Sequence, residues 1–457
     1  MTVVGEPTDV PTQPALDVQL PLDAAGDPTI ALSAEPRDPH TLVERLAASV
    51  VDPVLRVLVA ATLVGRLGRG VFLAVTAVYL TLVVGLHPAQ VAAVLTVSGA
   101  AGVASSAPAG YLADRFRARR LMFAFMALEG VALCGYVAVQ SFAAALVVAA
   151  LVGTFDSAGN TVRMAVIARA FEGPARVHAR AVLRTVTNLS IAVGSLVGGV
   201  ALALDSDLAF RLVIGASGAV FALSSLVVLR LPARVDAHVD ERTRPAPARA
   251  SLVERPRSPW RDPRYLTLSV LSAVFGMQFG LAEVGVPLWI VHHTQAPTAV
   301  VAALLILNTI VVVLFQVPLS RGTDDLRHAA RVMIVAGGLM AVACAAYELA
   351  SGHRPWVAVA ILVAAALAHA FAEVLSQAAA WGLSFELADP RAPGAYQGVF
   401  SMGYNLGAMA APVLLTAAIG LGMGGWALLA TVFVASALGT TTIAFRAAHD
   451  GAAATSR

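Results

Sequence analysis

Twelve long apolar runs, separated by short breaks, decide what this 457-residue chain can become. They span 54–83, 88–112, 119–139, 142–170, 180–204, 208–230, 264–292, 298–320, 328–350, 355–380, 394–420 and 423–446. Crossing the hydrocarbon core of a bilayer takes about 20 mostly apolar residues in helical form. Strands of a membrane barrel would alternate with period two over about ten residues, and these runs are continuous. The sequence therefore reads as an all-α membrane protein with twelve transmembrane helices. Only 13% of its residues are charged, about half the ~25% of a soluble domain. So little polar surface excludes a soluble enzyme, a nucleic-acid binder and a disordered protein.

The positions of Arg give an orientation, because basic residues collect in cytoplasmic loops. All 31 basic residues are Arg. The loop after the second run holds Arg115, Arg117, Arg119 and Arg120; the fourth is followed by Arg169, Arg176, Arg180 and Arg184; residues 230–264 hold nine Arg; and Arg321, Arg327 and Arg331 follow the eighth. The alternate loops hold almost none, Arg211 and Arg354 being the exceptions. Both termini are expected in the cytoplasm, in a cell (inner or plasma) membrane. The basic pI of about 9.1 then reports topology and not a nucleic-acid partner.

Five segments follow. Residues 1–53 carry nine acidic and two basic residues with many Pro; they read as a disordered acidic tail and lack the charged-then-apolar pattern of a targeting sequence. Residues 54–230 form a first six-helix half, 231–263 a polar cytoplasmic linker, 264–446 a second six-helix half, and 447–457 a C-terminal tail. Two halves of six spans suggest a transporter built from repeats. A match in register supports this: Asp114 follows Pro108 by six residues, Asp324 follows Pro318 by six, and the two sites are 210 residues apart.

The stretch Gly110-Tyr111-Leu112-Ala113-Asp114-Arg115-Phe116-Arg117-Ala118-Arg119-Arg120 resembles the signature loop of the major facilitator superfamily, G-x-L-a-D-R-x-G-R-R. Arg117 stands where the family usually has Gly, Ala118 where it has a basic residue, and Ser320 where the second copy would have Gly. The resemblance extends over 54–446 through span number and linker position. It implies the two-half fold of that family and a latch on the cytoplasmic side made by Gly110, Asp114, Arg115, Arg119 and Asp324. Asp114 is suited to accept hydrogen bonds from a helix N-terminus or to pair with Arg. On the fifth run, Gly194-Ser195-Leu196-Val197-Gly198-Gly199 resembles the G-P-x-x-G-G of family antiporters with Ser195 in place of Pro. Gly194, Gly198 and Gly199 are expected to let helices approach closely.

Ionisable residues inside a span face a cavity or a partner, and the resemblance implies that the first, fourth, seventh and tenth helices line the central cavity. Arg66 and Arg69 share a face of the first. Asp156, Asn160 and Arg163 share a face of the fourth, at spacings of four and three. The seventh carries Gln278 and Glu283, about 140° apart on a helix, with Glu283 the better cavity candidate. The tenth carries His369, Glu373 and Gln377 as a stripe. Glu373 follows Arg163 by the same 210 residues, so an Arg163–Glu373 pair across the cavity is expected. Arg184 and Asn188 on the fifth, Asn308 and Gln316 on the eighth, and Gln397, Ser401, Tyr404 and Asn405 on the eleventh complete the polar surface. Glu129 lies mid-span on the third helix, which the family places outside; the sequence offers no account of it.

No nucleophile–base set and no Gly loop ending in Lys-Ser or Lys-Thr is present, so no enzyme, ATP-driven pump or cofactor is expected. His292 and His293 lack supporting carboxylates, and no metal site is expected. The function implied is proton-coupled export of a small amphipathic compound by alternating access, from a monomer with a largely apolar cavity and with Asp156, Glu283 or Glu373 as proton carrier. Uptake of a polar nutrient is the alternative. A non-transporting scaffold or sensor would have lost its cavity charges, and this chain retains them.

Overall fold

The computed structural model describes residues 50–203, 206–236 and 257–455. The acidic tail to residue 49 and the linker from 237 to 256 lie outside them. Each apolar run becomes a helix, since in lipid the backbone must satisfy its own N–H and C=O groups. The spanning helices are α1 (Pro53–Leu82), α2 (Pro88–Arg115), α3 (Ala118–Ala138), α4 (Phe142–Ala170), α5 (Gly173–Ala203), α6 (Asp207–Val228), α7 (Pro263–His293), α8 (Ala299–Leu319), α9 (Leu326–Leu349), α10 (Pro355–Glu386), α11 (Pro393–Ile419) and α12 (Met423–Thr455).

Local signals set the ends. Pro stands in the first turn of α1, α2, α7, α10 and α11, where its missing N–H costs nothing. Asp52, Asp262 and Asp325 cap α1, α7 and α9 by accepting from Val54, Tyr265 and His328 N–H groups at 2.7, 3.1 and 2.7 Å. Three boundaries differ from the hydropathy reading. α5 starts at Gly173 and not near 180, because its first turns carry Arg176 and Arg180. α10 runs on to Glu386. α12 continues to Thr455, through the segment read as a tail. In each case the helix outlasts its apolar run.

In the first half α1 packs on α5 and α6, α2 on α4, and α3 on α6; in the second, α9 packs on α10 and α12, α8 on α10, and α7 on α11 and α12. The halves meet through α2 with α11, α5 with α8, α4 with α11 and α5 with α10. The face carrying the Arg-rich loops, together with the start of α1 and the end of α12, is called the basic face below. There the halves are shut against each other.

Candidate functional site: a basic cavity between the halves

Closure of the basic face begins at Gly110. A Cβ at this position would collide with the Gly394 carbonyl and the Gly398 Cα, so the α2 and α11 backbones touch. One turn on, Asp114 accepts hydrogen bonds from the Gly394 and Ala395 N–H groups at 2.8 and 2.7 Å. These are N–H groups in the first turn of α11 that have no partner within the helix. Arg169, at the end of α4, donates to the same carboxylate at 2.6 Å. Arg169, which lies outside the signature loop, is thus a cation on Asp114 from within the same half. Arg115 is exposed. Arg119 pairs with Asp236 at 3.7 Å, tying α3 to the chain beyond α6 within one half. In the second copy, Asp324 lies beside Gly173 at the start of α5, the place matching that of Asp114, yet its Oδ1 is buried without a hydrogen bond. There the halves are joined by Arg176 and Glu386, 3.1 Å apart.

On α5, Gly194 and Gly198 do bring the helix against α1. A Cβ on Gly194 would meet the Leu67 carbonyl, and one on Gly198 would meet Ala74 Cβ at 2.9 Å. Ser195 Oγ donates to the Gly70 carbonyl at 3.2 Å. Gly199 meets nothing within 4 Å, so it is no packing residue; it projects away from the seam that the other two share.

Above the closed face, at mid-depth, lies a cavity with about 730 Å³ of open space. Arg66, Asp156, Ser157, Asn160, Arg163, Arg180, Arg184, Thr187 and Asn188 line it from the first half, with Met164 and Leu183; Asn405 alone comes from the second. The lining is polar and basic, which corrects the expectation of an apolar cavity. Asp156 accepts from Arg66 at 3.1 Å and from Arg69 at 3.4 Å. Arg69 also lies 3.6 Å from Glu129. Glu129 is 2% exposed, so α3 turns it inward to the back of the cavity wall and not toward lipid.

Arg163 does not meet Glu373. It donates to Asn160 Oδ1 at 2.8 Å and to Thr62 Oγ1 at 3.4 Å. Glu373 is taken instead by Arg184, whose guanidinium crosses from α5 to form a close ion pair and also reaches Gln316 and Gln377 at 3.1 and 3.4 Å. Because α5 packs between α4 and α10, its Arg intercepts the acid before α4 can reach it. Asn308 donates to the other Glu373 oxygen at 3.2 Å. Glu373 and Asn308 thus stand behind Arg184 and not on the cavity surface. Arg180 stacks on Trp381, 4.5 Å from the ring centroid, and Arg184 lies 5.1 Å from the centroid of Phe279. Tyr404 closes this aromatic group, 6.0 Å from Phe279 and 6.3 Å from Trp381.

Four further residues fall away from the cavity. His369 turns toward α9, 3.3 Å from the Tyr347 hydroxyl, and lines a separate pocket between α7, α8 and α10. Gln397 is fully buried and donates to the Ser384 carbonyl at 3.0 Å. A π-helical turn at Leu281–Gly285 shifts the register of α7; Gln278 is buried and donates to Ser376 Oγ at 2.9 Å, while Glu283 is not on the cavity lining. Sequence reasoning used Arg180 only as an orientation marker. Its place one turn before Arg184 on the same face was the available signal. Among the described residues no cluster of His, Cys, Asp and Glu could hold a metal ion.

Residues 58–412 match the family described as Major Facilitator Superfamily. No curated protein matches the chain in sequence. Among solved structures, the human organic anion transporter MFSD10 (TETRAN) superposes with a TM-score of 0.62 at 13% identity, covering 85% of this chain and 99% of its own. A bacterial homologue of the iron transporter ferroportin, in an outward-facing state, gives 0.62 at 13%, covering 86% and 98%.

Proposed function

The chain belongs to the major facilitator superfamily, and on that premise we propose that it is a proton-coupled secondary transporter that exports a small amphipathic compound by alternating access, with both termini in the cytoplasm. The observation that carries this reading is the cavity at mid-depth, shut on the basic face by contacts between two separate halves. Rocking of the halves would expose the same site to each side in turn. One structural neighbour is described as an organic anion transporter and the other as a bacterial homologue of an iron transporter, so the fold by itself does not choose the cargo.

Glu373 is the acid best placed to couple a proton to that motion. It holds Arg184 of the other half, and a proton on it would discharge the pair that ties α10 to α5. The close packing of Gly194 and Gly198 on α1 supports the export reading, through the partial antiporter motif. The polarity of the cavity favours a second reading, uptake of a polar metabolite. A proton on Glu373 would free Arg184 for a substrate, and the two would then travel together.

Reconstitution in liposomes with an imposed pH gradient tests both. Compound-dependent proton movement is expected in the wild type and should vanish in Glu373→Gln. Proton and compound moving in opposite directions support export, and movement in the same direction supports uptake. No compound-linked proton flux, with wild type and variant alike, overturns the coupling.

A further inference from the structure

Transporter fold and mid-depth cavity leave the charge of the cargo open, but the side chains of this cavity do not balance. Four guanidiniums and one carboxylate line it. Asp156 is already engaged by Arg66 and Arg69, and Arg184 by Glu373. Arg163 and Arg180 have no carboxylate within 4 Å among the described residues. Arg163 is 8% exposed, bonded only to neutral oxygens, and its Nε has no partner. Arg180 has a ring for a neighbour, and its Nε too is buried and unpaired. Behind the lining stand Arg69, Glu129 and Glu373, with Glu283 close to Glu373. Five guanidiniums therefore face at most four acids.

A buried cation left unpaired is costly, and a group of them persists where something is meant to answer it. Arg presents a planar fork of donors that suits carboxylate, sulfonate and phosphate oxygens. On the second-half side, the buried Trp381 and the half-buried Phe279 and Tyr404 form an aromatic group against which Arg180 and Arg184 are stacked.

We propose that the cavity binds an organic anion, its charged group held between Arg163 and Arg180 and its apolar body directed toward the Phe279–Trp381–Tyr404 group. The role of such binding rests on the transporter reading; its chemistry rests on the cavity alone. The ligand class is an amphipathic carboxylate, sulfonate or phosphate monoester of one or two negative charges. Asn160 and Asn188 add neutral donors around the same space.

The test uses the purified full-length chain and isosteric sets: 2-naphthoate, 2-naphthamide and 2-naphthylmethylammonium, then phenyl phosphate and glutarate with their neutral counterparts. Calorimetric titration should show anions binding at least about tenfold tighter than their neutral or cationic isosteres. Arg163→Gln and Arg180→Gln should each weaken the anions about tenfold and leave the amide unchanged, while Arg180→Lys, which keeps the charge and loses the stacked fork, restores only part of the lost affinity. Anions binding no better than their isosteres, or equal weakening of anion and amide in the variants, overturns the proposal. Should Arg163→Gln fail to fold, Arg180→Gln decides alone. The same compounds are followed across proteoliposomes. Binding selective for anions with no flux of any compound refutes transport and leaves the site standing. Flux that prefers the amide or the amine refutes the site and leaves transport standing.

Discussion

At the scale of single residues, Arg66, Arg69, Asp156 and Glu129 form one connected group, and its connections predict unequal mutational effects. Arg69 serves two acids, Asp156 and Glu129, whereas Glu129 has Arg69 as its cation at 3.6 Å. Arg69→Gln therefore strands a carboxylate that is 2% exposed, and removing one partner of a buried pair costs about 3–5 kcal/mol. Glu129→Gln leaves Arg69 with Asp156 and should cost distinctly less. The double variant should be more stable than Arg69→Gln alone, a coupling that a thermal-unfolding cycle measures directly; additive losses would break the argument. Legibility at this scale was mixed. Spacing on one helix was readable: Asp156, Asn160 and Arg163 do share a face and all line the cavity. Pairing between helices was not readable. The constant offset of 210 residues suggested Arg163 with Glu373, but symmetry relates positions and says nothing about which side chain arrives first. Arg184, one helix nearer, takes the acid.

At the scale of helices, close approach is decided by which glycines lie on a seam. Gly198 and Gly199 are neighbours in sequence and differ completely in surroundings. Gly198→Val should push α5 off α1 and destabilise by about 1–3 kcal/mol, while Gly199→Ala should stay within about 0.5 kcal/mol. Thermal unfolding of the purified variants checks the contrast, and equal effects would show that the α1–α5 seam is placed wrongly. Gly110 belongs to the other kind of seam, one that would part in the proposed cycle. Gly110→Ala places a methyl against the α11 backbone and should weaken closure of the basic face without touching the cavity. Faster labelling of a cysteine introduced near Gly394 from that face is the expected readout. The sequence showed element number and order because apolar length is a property of one segment. It showed the ends of α5, α10 and α12 less well, since hydropathy stops counting where Arg176, Arg180 or Glu386 enters the helix, although these residues still lie on it and reach across to the other half.

At the scale of the whole molecule, the two halves are alike in helix order and unlike in chemistry. The signature loop illustrates this: Asp114 caps α11, whereas Asp324 stands at the matching place with a buried oxygen unbonded. The cavity is drawn almost entirely from the first half, an asymmetry that no count of spans or offsets contains, because it depends on which polar faces the packing turns inward. The surplus of guanidiniums also has an electrical consequence. A carrier whose empty site is positive and whose filled site is neutralised by its anion presents two different charges to the membrane potential. Each elementary charge moved through 100 mV involves about 2.3 kcal/mol. One-for-one exchange of anion across the membrane, which cycles only the filled form, should then be nearly indifferent to voltage. Net transport, which must also return the empty form, should speed or slow markedly when potassium diffusion potentials of either sign are imposed on the proteoliposomes. In such a protein the voltage sensor is the vacant binding site itself.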